Sequence, residues 1–196
     1  FLNGGKQSLG NYYLGGCSAV YVRNSAVRPG AKAMLARNMD FPGTFAWKYP
    51  VVVCSYPEEE VPVHESSSSG KPVTVQKKKQ PYAYISVSGF SGNGLTGYSS
   101  SGIAMATFVL FSKNIAKRGM LMLDFNHYLF TRHESISAIE RTISNADIRC
   151  GTPHAVLFAD GRRAVTVESD SRRNIIRNMG GDMDVQKLEL LLKKVN

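Results

Sequence analysis

The alternation of apolar and polar positions changes character twice along this chain of 196 residues. Near the start, residues 18–23, 31–37 and 51–56 alternate apolar with polar or small side chains and read as strands. They are separated by the turn signals Arg28-Pro29-Gly30 and Phe41-Pro42-Gly43. The first two strands predict a hairpin. Residues 57–80 form a polar insertion that reads as an exposed loop. Residues 82–88 alternate aromatic and small side chains, 89–97 are rich in glycine, and 103–111 make a continuous apolar run expected as a buried strand. The segment Gly92-Asn93-Gly94 lacks the lysine and the helix start of a phosphate-binding loop, so its glycines are read as a tight crossing of the chain.

The period then lengthens. Residues 120–131 are apolar around much of a helical circumference, and Ser135 is placed to cap a second helix in which Ile136, Ile139 and Ile143 recur at helical spacing. Residues 153–160 and 162–169 predict a hairpin around Asp160-Gly161, with Val156 and Phe158 answered by Val165 and Val167. Gly180-Gly181 breaks the chain before a stripe of Leu188, Leu191, Leu192 and Val195, expected as an amphipathic helix over 185–195. The class expected is α+β, and no internal repeat is evident.

With 43% hydrophobic side chains the chain can bury one core, which favours a single domain. No apolar run is long enough to span a bilayer, since 103–111 is short and 120–130 carries Asp124 and His127. A start at Phe1 without methionine fits a processed or trimmed N-terminus; the compartment is unread beyond a lean towards the outside of the cytoplasm. The net charge of +9 attracts anions in general. Lys77-Lys78-Lys79 is the one dense basic run, with no aromatic residues interleaved, so a solvated loop is expected in preference to a nucleic-acid partner. Three cysteines, Cys17, Cys54 and Cys150, have no framework spacing, which leaves at least one free thiol. His64, His127, His133 and His154 show no metal-ligand spacing, and Cys150 with His154 supplies two ligands where a site needs three or four.

Chemistry concentrates in Gly16-Cys17 and in Ala36-Arg37-Asn38-Met39-Asp40-Phe41. Cysteine is a strong nucleophile once a base or a positive charge favours its thiolate. Arg37 and Asp40 are candidates to supply that setting. The plainer readings are Cys17 as a small core residue and Arg37 with Asp40 as a surface ion pair. A cysteine paired with a distant histidine stays open as well, although neither the papain nor the caspase local signature occurs.

Gly16-Cys17-Ser18, the strand ending in Asp40, Gly97-Tyr98-Ser99-Ser100-Ser101-Gly102-Ile103-Ala104, and the 153–161 segment with Val167-Glu168 occur in that order. Together they resemble the cysteine N-terminal-nucleophile (Ntn) hydrolases, in the group of choloylglycine hydrolases and acyl-coenzyme A:isopenicillin N acyltransferase. The resemblance spans residues 15–169 and implies a four-layer αββα sandwich. It implies autocleavage between Gly16 and Cys17, so that 1–16 is a pro-segment and 17–196 the hydrolase domain. It also implies cleavage of a linear amide, or transfer of its acyl group, through a thioester on Cys17. The freed α-amino group has a reference pKa near 8, suited to taking the thiol proton. Arg37 would stabilise the thiolate and Asp40 would orient the amine; no cofactor is implied, and the partner is a small amide or acyl substrate.

Two positions depart from the group. Ser99 stands where an asparagine follows Gly-Met, and Val109 where choloylglycine hydrolases carry an oxyanion-hole asparagine, so a relocated donor such as Asn93, a backbone N–H, or a different acyl chemistry is required. The alternative function is an inert relative or binding module of the same fold. The C-terminal part of the group's second sheet is also missing after 169, which is met by a fragment, by a second chain or copy completing the fold, or by a looser kinship.

Overall fold

The computed structural model of the chain describes residues 2–3, 8–9, 12–13, 17–23, 33–39, 49–66, 72–87, 94–110, 114–116, 119–145 and 148–179. Gly16, Asp40, Asn93, the turns at 28–30 and 41–43, and the stripe over 185–195 lie outside the described residues. The elements are β1 (Leu2–Asn3), β2 (Ser8–Leu9), β3 (Tyr12–Tyr13), β4 (Cys17–Arg23), β5 (Ala33–Met39), β6 (Pro50–Ser55), β7 (Glu60–Ser66), β8 (Pro72–Lys78), β9 (Tyr82–Val87), β10 (Thr96–Ser99) and β11 (Ala104–Val109). Then come α1 (Met122–Arg132), α2 (Ile136–Asn145), β12 (His154–Ala159), β13 (Ala164–Ser169) and β14 (Asn174–Asn178).

A large antiparallel sheet runs in the order β14-β13-β12-β11-β10-β9-β6, and a smaller one in the order β1-β4-β5. The expected β4–β5 hairpin forms with Cys17 opposite Met39 and Ala19 opposite Arg37. The β12–β13 hairpin has the expected register, Val156 against Val167 and Phe158 against Val165. Its turn is set by Asp160, whose Oδ1 accepts from the backbone N–H of Arg162 at 2.7 Å and of Arg163 at 2.9 Å. Asp170 does the same for Arg172 and Arg173, which turns the chain into β14, a strand the sequence reading missed.

The polar insertion is a correction. Read as a loop, it is a hairpin of β7 and β8 whose pairs run from Glu60 with Lys78 to Ser66 with Pro72. Val73 and Val75 alternate with Thr74 and Gln76, a strand period that the flanking serines and lysines obscured.

Two cores sit on opposite faces of the large sheet. On one face Met105, Val156, Phe158, Val165 and Val167 pack against Phe125, Leu129 and Phe130 of α1 and Ile136, Ile139 and Ile143 of α2. Ser135 Oγ caps α2 by accepting from Ala138 N at 3.2 Å, as its position in the sequence suggested. On the other face Ala106, Phe108, Ala155, Leu157 and Ala159 meet Cys17, Ala19, Tyr21 and Leu35 of the small sheet. The interior strand β12 is therefore apolar on both sides from Ala155 onward, which explains its apolar run. Among the described residues these are three stacked layers, sheet on sheet on helices. Tyr21 ties the small sheet down by donating from its hydroxyl to Asp160 O at 2.9 Å.

Gly97 fits where a side chain cannot, because an added Cβ would stand 2.7 Å from two ring carbons of the fully buried Tyr84 and 3.1 Å from Phe130. Gly97→Ala is expected to cost about 1–3 kcal/mol through displacement of that ring. Urea unfolding measures it, and an unchanged midpoint would mean that the Tyr84 ring yields freely.

Candidate active site

Cys17 opens β4 and faces inward, half-buried, on the same side of the strand as Ala19. Arg37 lies across from Ala19. The small alanine leaves the guanidinium room to run beneath β4 towards the cysteine two residues earlier. Arg37 Nη2 reaches Cys17 Sγ at 3.5 Å and donates to Thr107 O at 2.7 Å, while Nη1 donates to Thr96 Oγ1 at 3.1 Å. Thr96 and Thr107 stand on β10 and β11 of the facing sheet, so the cation bridges the two sheets at the sulfur.

Burial holds the Arg37 guanidinium below its usual value, and charge on Cys17 together with the contact between them opposes that shift. Arginine stays ionised under such a perturbation, which makes the site a fixed positive charge against a thiol in a largely apolar interlayer. Negative charge developing beside the sulfur, such as an oxyanion, is what a fixed cation in this position can steady.

The structure thus brings two expected residues together, Cys17 and Arg37. It also adds Thr96 and Thr107, which no local motif announces. They stand 59 and 70 residues from Arg37 in sequence and become neighbours only through sheet stacking. Ser99 lies on β10, at the position where the sequence departs from the group's asparagine. Its hydroxyl is turned into its own tight turn, 2.9 Å from Ser101 Oγ and 3.3 Å from Ile103 N. Val109 pairs with His154 across β11–β12 and is 39% exposed.

The remaining thiols and histidines differ in surroundings. Cys54 is exposed and Cys150 buried, and all three cysteines are free. Burial pushes the Cys150 thiol up, and its Sγ lies 3.2 Å from Thr152 O. His154 shares that carbonyl, with Nδ1 at 3.0 Å, and burial pushes its ring down to about 4. His133 serves packing, its Nε2 lying 2.7 Å from Thr142 Oγ1. His127 is half-buried with Nδ1 3.1 Å from Tyr84 Oη, and burial, then Lys79 and Arg132, lower its pKa.

A cleft of about 920 Å³ opens beside β5, lined by Leu35, Val52, Ile85, Thr96, Tyr98 and Arg162 among others. It has the size and mainly apolar lining of a small-molecule site. Thr96 belongs both to this cleft and to the contacts of Arg37.

No protein-family model matches the chain, and no curated protein matches it. Solved structures do. A cysteine-to-alanine variant of conjugated bile acid hydrolase from Clostridium perfringens superposes with a TM-score of 0.54 at 14% identity, covering 89% of this chain and 56% of that one. Penicillin V acylase from Agrobacterium tumefaciens gives a TM-score of 0.49 at 13% identity, covering 75% of this chain and 50% of that one. The chain spans about half the length of these structures. The likeness to the cysteine Ntn hydrolases carried by the sequence motifs extends to the course of the backbone, and the chain has the Ntn-hydrolase fold.

Proposed function

We propose that the chain forms the nucleophile-bearing part of a cysteine Ntn hydrolase that cleaves a linear amide, or transfers its acyl group, after autocleavage between Gly16 and Cys17. The observation that supports this most is the Arg37 guanidinium held 3.5 Å from Cys17 Sγ by Thr107 and Thr96. In the first step the thiol of Cys17 attacks the preceding carbonyl, the peptide C–N bond breaks as the C–S bond forms, and water then opens the thioester. The α-amino group so released takes the thiol proton in each later turnover. Attack on a substrate amide forms a thioester, the amine leaves with that proton, and water or a second amine takes the acyl group. In this reading Arg37 steadies the sulfur, Asp40 orients the amine, and Asn93 or a backbone N–H receives the oxyanion. The substrate is a small amide, and no cofactor takes part.

Intact mass and N-terminal sequencing test it. The parent is expected to lose residues 1–16 and turn over an acyl amide, while Cys17→Ala stays full-length and inactive. A parent that keeps the Gly16-Cys17 bond and still cleaves amides removes the N-terminal amine from the mechanism.

The engaged hydroxyl of Ser99 and the apolar Val109 support a second reading, an inert binding module of the same fold. A processed parent without turnover on any acyl amide would select it.

A further inference from the structure

Three buried polar side chains lie beneath the Arg37 contact, on the helix side of the large sheet. Thr107 and Asn126 are 1% exposed and His154 is 0% exposed. Asn126 Nδ2 lies 3.0 Å from Thr107 Oγ1, Asn126 Oδ1 lies 3.0 Å from His154 Nε2, and His154 Nδ1 lies 3.0 Å from Thr152 O. As placed, both ring nitrogens of His154 face oxygen atoms. The Thr152 carbonyl only accepts, so Nδ1 carries a proton.

Phe125 and His154 meet in a T-shaped pair with centroids 5.5 Å apart, and burial keeps the imidazole neutral near pH 7. Nε2 must then accept. A half-turn of the Asn126 carboxamide, whose nitrogen and oxygen are nearly isosteric, satisfies every partner. The Thr107 hydroxyl donates to Asn126 Oδ1, the amide donates to His154 Nε2, and Nδ1–H donates to Thr152 O. The direction of the chain is fixed by its last acceptor.

Thr107 joins this chain to Cys17. The β10–β11 register ends with Thr96 opposite Ala106, so Thr107 lies one residue past it. Its N–H still donates to Leu95 O at 2.8 Å, while its carbonyl accepts from Arg37. The orientation of this one residue therefore sets where the guanidinium sits.

We propose that Thr107, Asn126 and His154 are positioning residues, a buried hydrogen-bonded chain that holds the Thr107 carbonyl so that Arg37 stays against Cys17. The proposal rests on Cys17 being the reacting group, and its test separates the two ideas. Alkylation by iodoacetamide at pH 7.5, resolved by peptide mass, should mark Cys17 faster than Cys54 in the parent. Thr107→Val, which keeps shape and loses the hydroxyl, should slow Cys17 roughly tenfold. Thr107→Ser should restore most of the rate. Thr166→Val is the control, because Thr166 is equally buried on β13 with its hydroxyl unpartnered among the described residues, and it should change nothing.

A Thr107→Val protein that labels as fast as a reactive parent overturns the positioning chain and leaves Cys17 standing. A parent in which Cys17 is no faster than Cys54 overturns both. Should Thr107→Val fail to fold, the ¹⁵N shifts of His154 in the parent decide. A neutral ring protonated at Nδ1 supports the chain, whereas a ring protonated at Nε2 or at both nitrogens at pH 7 overturns it.

Discussion

Arg37→Lys is expected to lower amide turnover about a hundredfold while leaving the fold in place. The size follows from removing a preorganised donor at a developing charge, typically on the order of 10² to 10³ in rate. Arg37 spans three partners from two nitrogens, Cys17 Sγ, Thr107 O and Thr96 Oγ1. A lysine brings the same charge at a single point and cannot hold both threonines while facing the sulfur. Stability should change little, because lysine keeps the positive charge and most of the aliphatic stem that Arg37 lays between the two sheets. The measurements are turnover of an acyl amide, the alkylation rate of Cys17 and the thermal midpoint. Loss of turnover and of alkylation at an unchanged midpoint is the expected result. A lysine variant with parental rates would reduce Arg37 to an ion-pair partner.

How much of this could be read from the sequence depends on the range of the forces involved. The β4–β5 and β12–β13 hairpins were legible because alternation and turn residues are local, and Ser135 as a cap is local too. The β7–β8 hairpin was not, because its valines alternate among serines, lysines and glutamates whose polarity outweighed the period. Strand β14 was hidden for a related reason. The turn at Asp170 repeats the Asp-x-Arg-Arg pattern of Asp160, but without the glycine that made the first one conspicuous.

At the site, Cys17 and Arg37 could be paired because one hairpin carries both. Thr96, Thr107 and Asn126 could not be, since they come from β10, β11 and α1 and meet only when three layers stack. His154 shows the limit most clearly. In the sequence it is one of four unremarkable histidines; in the fold its burial and its two partners give it a defined tautomer.

That burial has a consequence for stability in mild acid. His154 titrates at an ordinary 6.5 when unfolded and at about 4 in the fold. Between those values the unfolded chain binds a proton that the native chain refuses, so native stability falls as pH drops through the window. A gap of about 2.5 units corresponds to about 3 kcal/mol by pH 4, a large share of what holds a small domain together. His127, also lowered, adds in the same direction. Among the described residues, the carboxylates with lowered values, Glu59 and Asp170, lose their favourable charge only as pH falls below the ordinary carboxylate values of 4.5 and 3.8, so for these residues the upper part of the window belongs to the histidines. Urea unfolding at pH 7, 6, 5 and 4.5 should show stability declining steadily from about pH 6.5 downward. His154→Gln keeps an amide donor for Thr152 O and cannot take up a proton, so the slope should shrink by about one proton. A parent curve that is flat between pH 6.5 and 5, or a His154→Gln curve with the parental slope, would mean that the imidazole is charged inside the fold or open to water.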